Sequence, residues 1–283
     1  MKFVAGASGT IGQLLCNVLN SLNEEFRAFG RSQPESYFDI GNNQWRSGNF
    51  DNYESLVQAM DGCDSVFLTC SPGKQMADHE INVIKVAQEL GVKNLVKVSV
   101  PNASRIGRTK LQRLHSLSEE FLQQSGLNWS ILRPNAFMQN LHGDTQGFNI
   151  NRKFCLPLEG AEYAFIDALD IAHVAASLIT SEYPQNKVFN LTGPDLLTYR
   201  EVAEIITHIS GNKYSFNNIT DDEYTEIMKK AGVDTWFIDE ILEWFREFRD
   251  LNVGNVTSDV EKVLGRAPNN IKHYITKNLS IFS

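Results

Sequence analysis

The feature that most constrains this chain is a glycine loop set between a short apolar run and an amphipathic segment. "KFVAG" leads into Gly6-Ala7-Ser8-Gly9-Thr10-Ile11-Gly12, and Ile11, Leu14, Leu15, Val18, Leu19 and Leu22 then follow at helical spacing. A strand that turns on glycine straight into a helix aims backbone N–H groups beyond the strand's carboxyl end, where the helix dipole favours an anion. Gly6 permits the tight turn, Gly9 lets the backbone approach a phosphate, and Gly12 lets the helix lie close on the strand. The spacing is G-x-x-G-x-x-G rather than G-x-G-x-x-G. The strand–turn–helix context nevertheless makes the triplet a dinucleotide-binding signature, with Ser8, Thr10 and Ile11 part of the same loop.

The alternation then repeats. "EFRAFGR" reads as a strand and "YESLVQAM" as a helix introduced by Asp51, with Glu54 completing a capping box. "DSVFLTC" is a buried strand, "HEINVIKVAQELG" a helix closed by Gly91, and "NLVKVSV" another strand. A helix around "LHSLSEEFLQQSG" precedes the strand "NWSILRP". Strands and helices alternating in this way mean right-handed crossovers and a parallel sheet covered on both faces, with ligands at the carboxyl ends of the strands. The expected class is α/β: a Rossmann-type doubly wound parallel sheet with a smaller, mostly helical C-terminal substrate lobe. We assign residues 1–150 to the NAD(P)-binding domain, with later returns of the chain near 163–194, and residues 151–283 to the lobe.

After Pro134 the periodicity changes. "KVFNLTG" is a further strand, and Thr198 with Glu201 caps the helix "YREVAEIITHISG", which ends at Gly211. "DDEYTEIMKKAG", "TWFIDEILEWFREF" and "DVEKVLG", the last capped by Ser258 with Glu261, are further helices. Trp236, Phe237, Trp244 and Phe245 in this lobe read mostly as core, with a roof over a substrate pocket as the alternative.

Composition narrows the partners. The 26 Lys+Arg against 34 Asp+Glu, without basic runs, argue against nucleic acid or an anionic membrane. No apolar stretch approaches the roughly 18–20 residues of a membrane helix, so a soluble protein is expected. Cys16, Cys63, Cys70 and Cys155 lack paired metal-ligand spacing, His79, His142, His173, His208 and His273 suggest no metal site, and the chain opens on a strand rather than a secretory signal. Free thiols in a reducing cytoplasm are expected. A monomer or a homodimer is compatible with the sequence.

The second strand ends "FGRS", where an acidic residue would accept from the adenosine ribose and an arginine would clasp a 2′-phosphate. Arg31 therefore favours NADP(H) over NAD(H), a solvated arginine after a turn being the alternative.

These features together resemble the NmrA-like branch of the atypical short-chain dehydrogenase/reductase superfamily. The resemblance spans nearly the whole chain: "GASGTIG", "SGNFDNYESLVQAMDGCDSVFL", "SGLNWSILRPNAFMQNL", "FIDALDIAHVAASLI", "FNLTGPDLLTYREVAEIITHISG" and "VTSDVEKVLGRAPNNI" occur in the family's order. It implies that Asn49 and Phe50 flank the adenine, Asn49 replacing the usual Asp. It implies also that Thr69, Cys70 and Ser71 line the middle of the cofactor, and that Pro101, Asn135 and Phe137 lie near the nicotinamide and the substrate.

The same comparison exposes a departure. Superfamily reductases and epimerases activate a Tyr with a Lys four residues later. Counting back from the family's glutamate, here Glu119, puts His115 at the lysine position and Leu111 at the tyrosine position. Tyr183 and Lys187 have the right spacing, but Pro184 makes their segment a loop. His115, with an ordinary pKa of about 6.5, is then either a proton donor or a hydrogen-bond partner of the ribose. Ser99 stands where the superfamily often has its serine and is a candidate donor to a carbonyl oxygen. The expected function is NADPH-dependent reduction of quinones or similar small carbonyl compounds, as in bacterial NmrA-like quinone reductases. The alternatives are a redox sensor that reads the NADP(H)/NAD(H) balance through a protein partner and, behind it, a nucleotide-sugar epimerase.

Overall fold

The computed structural model describes residues 1–34, 45–142, 151–181, 185–251 and 254–283. The chain begins β1 (Lys2–Ala5), α1 (Thr10–Ser21), β2 (Phe26–Gly30), β3 (Trp45–Ser47), α2 (Tyr53–Met60), β4 (Ser65–Leu68), α3 (Met76–Glu89), β5 (Asn94–Val98), α4 (Lys110–Gln123) and β6 (Asn128–Pro134). It continues β7 (Lys153–Leu156), β8 (Glu162–Tyr163), α5 (Ala168–Ile179), β9 (Lys187–Leu191), β10 (Leu197–Thr198), α6 (Tyr199–Ser210) and β11 (Ser215–Asn218). Four helices close it: α7 (Asp221–Lys230), α8 (Thr235–Leu251), α9 (Asp259–Leu264) and α10 (Ile271–Lys277).

Seven strands form one sheet in the order β3-β2-β1-β4-β5-β6-β9, and every pairing in it is parallel. This is the Rossmann-type α/β fold. Because side chains alternate along a strand, each central strand feeds two cores. Val4, Phe67, Val96 and Leu132 pack with α1, α5 and Val260 of α9. Phe3, Ala5, Val66, Leu68, Leu95 and Ile131 pack on the other face with Leu56, Val83, Ile84 and Leu122 of α2, α3 and α4. A third core holds the lobe together: Phe154, Tyr163, Phe165, Tyr199, Tyr224, Phe245 and Phe248 meet there, with Tyr163 stacked on Phe248 at 4.1 Å between ring centroids.

Of the local expectations, some change and some hold. The cap of α2 is Asn52, whose side chain accepts from Ser55 N, so Asp51 and Glu54 form no capping box. The cap of α6 is the box of Thr198 and Glu201, and Gly211 ends the helix in the left-handed region. Ser258 precedes α9 without a side-chain cap bond. The three-residue β3 is too short to show a period, and its edge position follows only from pairing Ala28, Phe29 and Gly30 with Trp45, Arg46 and Ser47. No helix among the described residues is long and apolar enough to cross a membrane.

Candidate functional site

The strand order reverses between β1 and β4, so the loops leaving these two strands face one another, the arrangement that opens a crevice at the carboxyl ends. Their contact explains the first glycine. Gly6 has φ +83°, and a Cβ there would stand 2.2 Å from the carbonyl oxygen of Thr69. A Cβ on Gly12 would stand 2.3 Å from the carbonyl oxygen of Gly6, which is how closely α1 lies on the loop.

Gly9 is different: a Cβ there would touch only Gly6 O, at 3.4 Å, so the protein itself makes no demand for glycine. The space it leaves faces outward, beside exposed Ser8 and Thr10 and above buried Ile11. Helix α1 starts at Gly9 with no side-chain cap and no acidic residue in its first turn. The N–H groups of that turn therefore have no intrahelical acceptor and suit an anion. These features fit the pyrophosphate of a dinucleotide.

The other cofactor candidates differ in exposure and in the bonds they make. Arg31 is exposed directly after β2 and makes no ion pair among the described residues. Asn49 is exposed, its amide donating to Asp51 Oδ2 at 3.1 Å. Phe50 is half-buried and stacked on Phe29, with its carbonyl accepting from Asn82. Thr69 N donates to Ala5 O, Ser71 is exposed, and Cys70 lies 4.0 Å from His79 Nδ1. Burial pushes the Cys70 thiol up to about 12, which disfavours the thiolate.

At the carboxyl end of β5 lies a buried polar cluster. Leu95, Lys97 and Ser99 alternate onto the face covered by α3 and α4, so the lysine points under the helices instead of into water. Lys97 is fully buried; its Nζ lies 3.0 Å from Glu80 Oε2 on α3, 2.9 Å from Val98 O and 3.1 Å from His115 Nδ1 on α4. Ser118 donates to the same Glu80 oxygen at 2.5 Å, while Glu80 Oε1 has no partner among the described residues. Burial raises the Glu80 carboxyl above its ordinary value, opposed by the Lys97 ammonium and the Ser118 hydroxyl.

His115 does not keep the near-neutral pKa expected of it. Burial, then the Lys97 ammonium and the Arg133 guanidinium, hold it well below the usual imidazole value, so the ring is neutral at physiological pH. Its Nε2 has no hydrogen-bond partner among the described residues. Leu111 sits one turn earlier on α4, half-buried, and its backbone N–H donates to Glu240 Oε2 of α8.

Ser99 follows Lys97 on the same face and is engaged by Glu119, one turn beyond His115 on α4. Its hydroxyl donates to Glu119 Oε1 at 2.5 Å, and Arg133 from β6 forks onto the same carboxylate through Nε and NH2. These bonds make a buried tie between β5, α4 and β6.

Pro101 is half-buried, and its carbonyl accepts from Gln112. Asn135 is buried at the end of β6, its Oδ1 accepting from Ala136 N at 2.7 Å, and Phe137 bridges to Ile166. Helix α8 spans this end of the sheet: Glu240 takes the Leu111 N–H, and Glu247 accepts from Gln112 and Asn102. On α8, Phe245 is core and Trp244 packs against it, while Trp236 and Phe237 stay half-exposed. The Tyr183 of the tyrosine–lysine spacing lies outside the described residues, and Lys187 opens β9.

Sequence reasoning passed over Lys97 and Glu80. The signal was present in "NLVKVSV", because a lysine inside a strand covered on both faces has to be paired.

Comparison with known proteins agrees with this geometry. The profile of the NAD(P)H-binding family matches residues 6–182. The NAD(P)H azoreductase of Xenophilus azovorans is 25% identical over 283 residues, covering 100% of this chain and 99% of that one. The NADPH-dependent quinone oxidoreductase QOR2 of Escherichia coli, in its complex with NADPH, has a TM-score of 0.83 at 20% identity, covering 99% of each chain. NmrA, a negative transcriptional regulator in complex with NAD, has a TM-score of 0.79 at 12% identity, covering 99% of this chain and 95% of that one. The structural likenesses establish a shared fold.

Proposed function

We propose, for a chain that belongs to the NAD(P)H-binding family, the NADPH-dependent reduction of quinones or similar small conjugated acceptors. At the coarser level the chain is an NAD(P)H-binding, oxidoreductase-like protein. The observation that carries the finer reading is the buried, neutral His115 beside the strand ends, with Nε2 unpartnered among the described residues and Leu111 one turn away.

When bound, the dinucleotide supplies the hydride. The glycine loop and the first turn of α1 would hold its pyrophosphate, and Arg31 would pair with a 2′-phosphate. His115, as a neutral imidazole, hydrogen-bonds the acceptor atom on which negative charge grows. It gives up its proton far less readily than an imidazolium or an activated phenol. An acceptor that spreads its charge over a conjugated system tolerates such a weak acid, whereas a simple ketone that must be fully protonated does not. The names of the azoreductase and quinone reductase relatives support that substrate class.

The test is calorimetric titration with NADPH, NADP, NADH and NAD, repeated with Arg31→Ala, followed by a panel of quinones and azo compounds at saturating NADPH. We expect turnover of at least one acceptor and tight NADPH binding. Arg31→Ala is expected to weaken NADPH by about ten- to a hundredfold, the worth of a lost charge-assisted contact, and to leave NADH little changed. Failure to bind any of the four nucleotides ends the reading. Unequal affinities for oxidised and reduced forms without turnover of any acceptor favour the sensor instead.

A further inference from the structure

We propose that Lys97 is the positioning residue for His115: its buried ammonium, delivered from β5, fixes the imidazole as the Nε2–H tautomer and thereby makes Nε2, which has no partner among the described residues, the ring's donor. The proposal rests on the functional reading only for what the donor meets; the tautomer is a property of this chain.

An ammonium has three protons and no lone pair. Lys97 Nζ has three acceptors around it: Glu80 Oε2 at 3.0 Å, Val98 O at 2.9 Å and His115 Nδ1 at 3.1 Å. Each proton has one destination, so Nδ1 accepts and the single proton of a neutral ring goes to Nε2. The competing arrangement, Nδ1–H donating to Glu80, fails on distance, because His115 Nδ1 is 3.8 Å from Glu80 Oε2. A doubly protonated ring would also set an N–H against the ammonium.

The other charged groups around the ring leave this assignment in place. Glu80, on α3, is paired with Lys97 and accepts a hydrogen bond from Ser118. Arg133, from β6, is engaged by Glu119 of α4 itself. Protonation of His115 is opposed from both β5 and β6, while its donor edge is left free. The lysine missing from the helix of the tyrosine–lysine pair is thus replaced from a strand, and the replacement acts differently, by orienting a proton that another residue carries.

The experiment is long-range ¹H–¹⁵N correlation NMR on ¹⁵N-histidine-labelled protein, with and without NADPH, His115 being assigned by its loss in His115→Gln. The expected result is an unprotonated Nδ1 and a protonated Nε2, unchanged between about pH 6 and 8. An Nδ1–H tautomer, or an imidazolium signal in that range, overturns the proposal without any further variant.

Lys97→Met alone strands the Glu80 carboxylate, so the second arm is the double variant Lys97→Met/Glu80→Leu, checked for fold by its unchanged NADPH affinity. In it we expect a mixture of tautomers and a kcat lower by about ten- to a hundredfold. A double variant that folds and keeps the pure Nε2–H tautomer shows Lys97 to be structural and overturns the proposal. If the wild-type tautomer is as expected but no acceptor is reduced, the proposal stands and only the functional reading falls.

Discussion

Alanine at Gly9 and alanine at Gly6 separate what the loop does for a ligand from what it does for the fold. At Gly6 the backbone has φ +83°, and the new Cβ would lie 2.2 Å from Thr69 O, a backbone atom that cannot swing aside. The left-handed conformation costs an alanine about 1–2 kcal/mol, and forcing the β1 and β4 loops apart costs about 1–3 kcal/mol more. With an unfolding entropy of about 2.1 cal/mol/K per residue over 283 residues, roughly 0.6 kcal/mol/K, the sum lowers Tm by about 3–8 °C. At Gly9 the backbone is extended, φ −81° and ψ 167°, and the Cβ meets one atom at 3.4 Å. The loss there is a weaker helix N-cap, about 1 kcal/mol at most and under about 2 °C. The same methyl group stands where a pyrophosphate would approach, and losing charge-assisted contacts costs about 1.5–3 kcal/mol, or ten- to a hundredfold in NADPH affinity. Differential scanning calorimetry without nucleotide and NADPH titration read the two effects separately. A Gly9→Ala variant that binds NADPH like the wild type, or a Gly6→Ala variant that melts with it, refutes this division of labour.

Ser99→Ala removes a donor to the Glu119 carboxylate, which Arg133 still holds, so we expect about 1.5–3 kcal/mol less stability by urea denaturation. Its kcat is expected to be unchanged; a hundredfold loss of kcat in a stable variant would return Ser99 to the chemistry. Acid sensitivity should carry the mark of His115. Its folded pKa lies well below its unfolded value near 6.5, so below that pH the unfolded chain binds a proton that the folded chain refuses. The resulting stability is present above pH 6.5 and is lost, as pH falls toward the folded pKa, by up to about 1.4 kcal/mol per pH unit. His142 and His173 are also held low and add to the wild-type slope. The slope between about pH 6.5 and 5 should therefore be shallower, not absent, in His115→Gln, and equal slopes would show that His115 titrates normally in the fold.

Local periodicity carries information about elements whose burial repeats with their own geometry. The glycine loop, the alternating strands and helices, the Thr198–Glu201 box and the Gly211 stop were all readable before the fold, because each depends on residues a few positions apart. A short edge piece such as β3 shows no period, and it exists because its partner strand supplies its hydrogen bonds.

The site divides in the same way. Gly6, Gly9 and Gly12 point to a phosphate cradle through their spacing together with the strand before them and the helix after, and Arg31 is placed by the end of its strand. The state of His115 is not a local property. It depends on Lys97, Glu80 and Arg133, which arrive from β5, α3 and β6 and meet only when the sheet and its covering helices close. "NLVKVSV" already required the lysine to find a partner, since a buried ammonium cannot go unpaired. Only the tertiary structure decided which carboxylate and which ring it found, and that Ser99 was taken by Glu119. Sequence by itself determined the fold class and the cofactor loop; the placement of one proton belongs to the packing of four elements, because hydrogen bonds are set by distances that no spacing along the chain encodes.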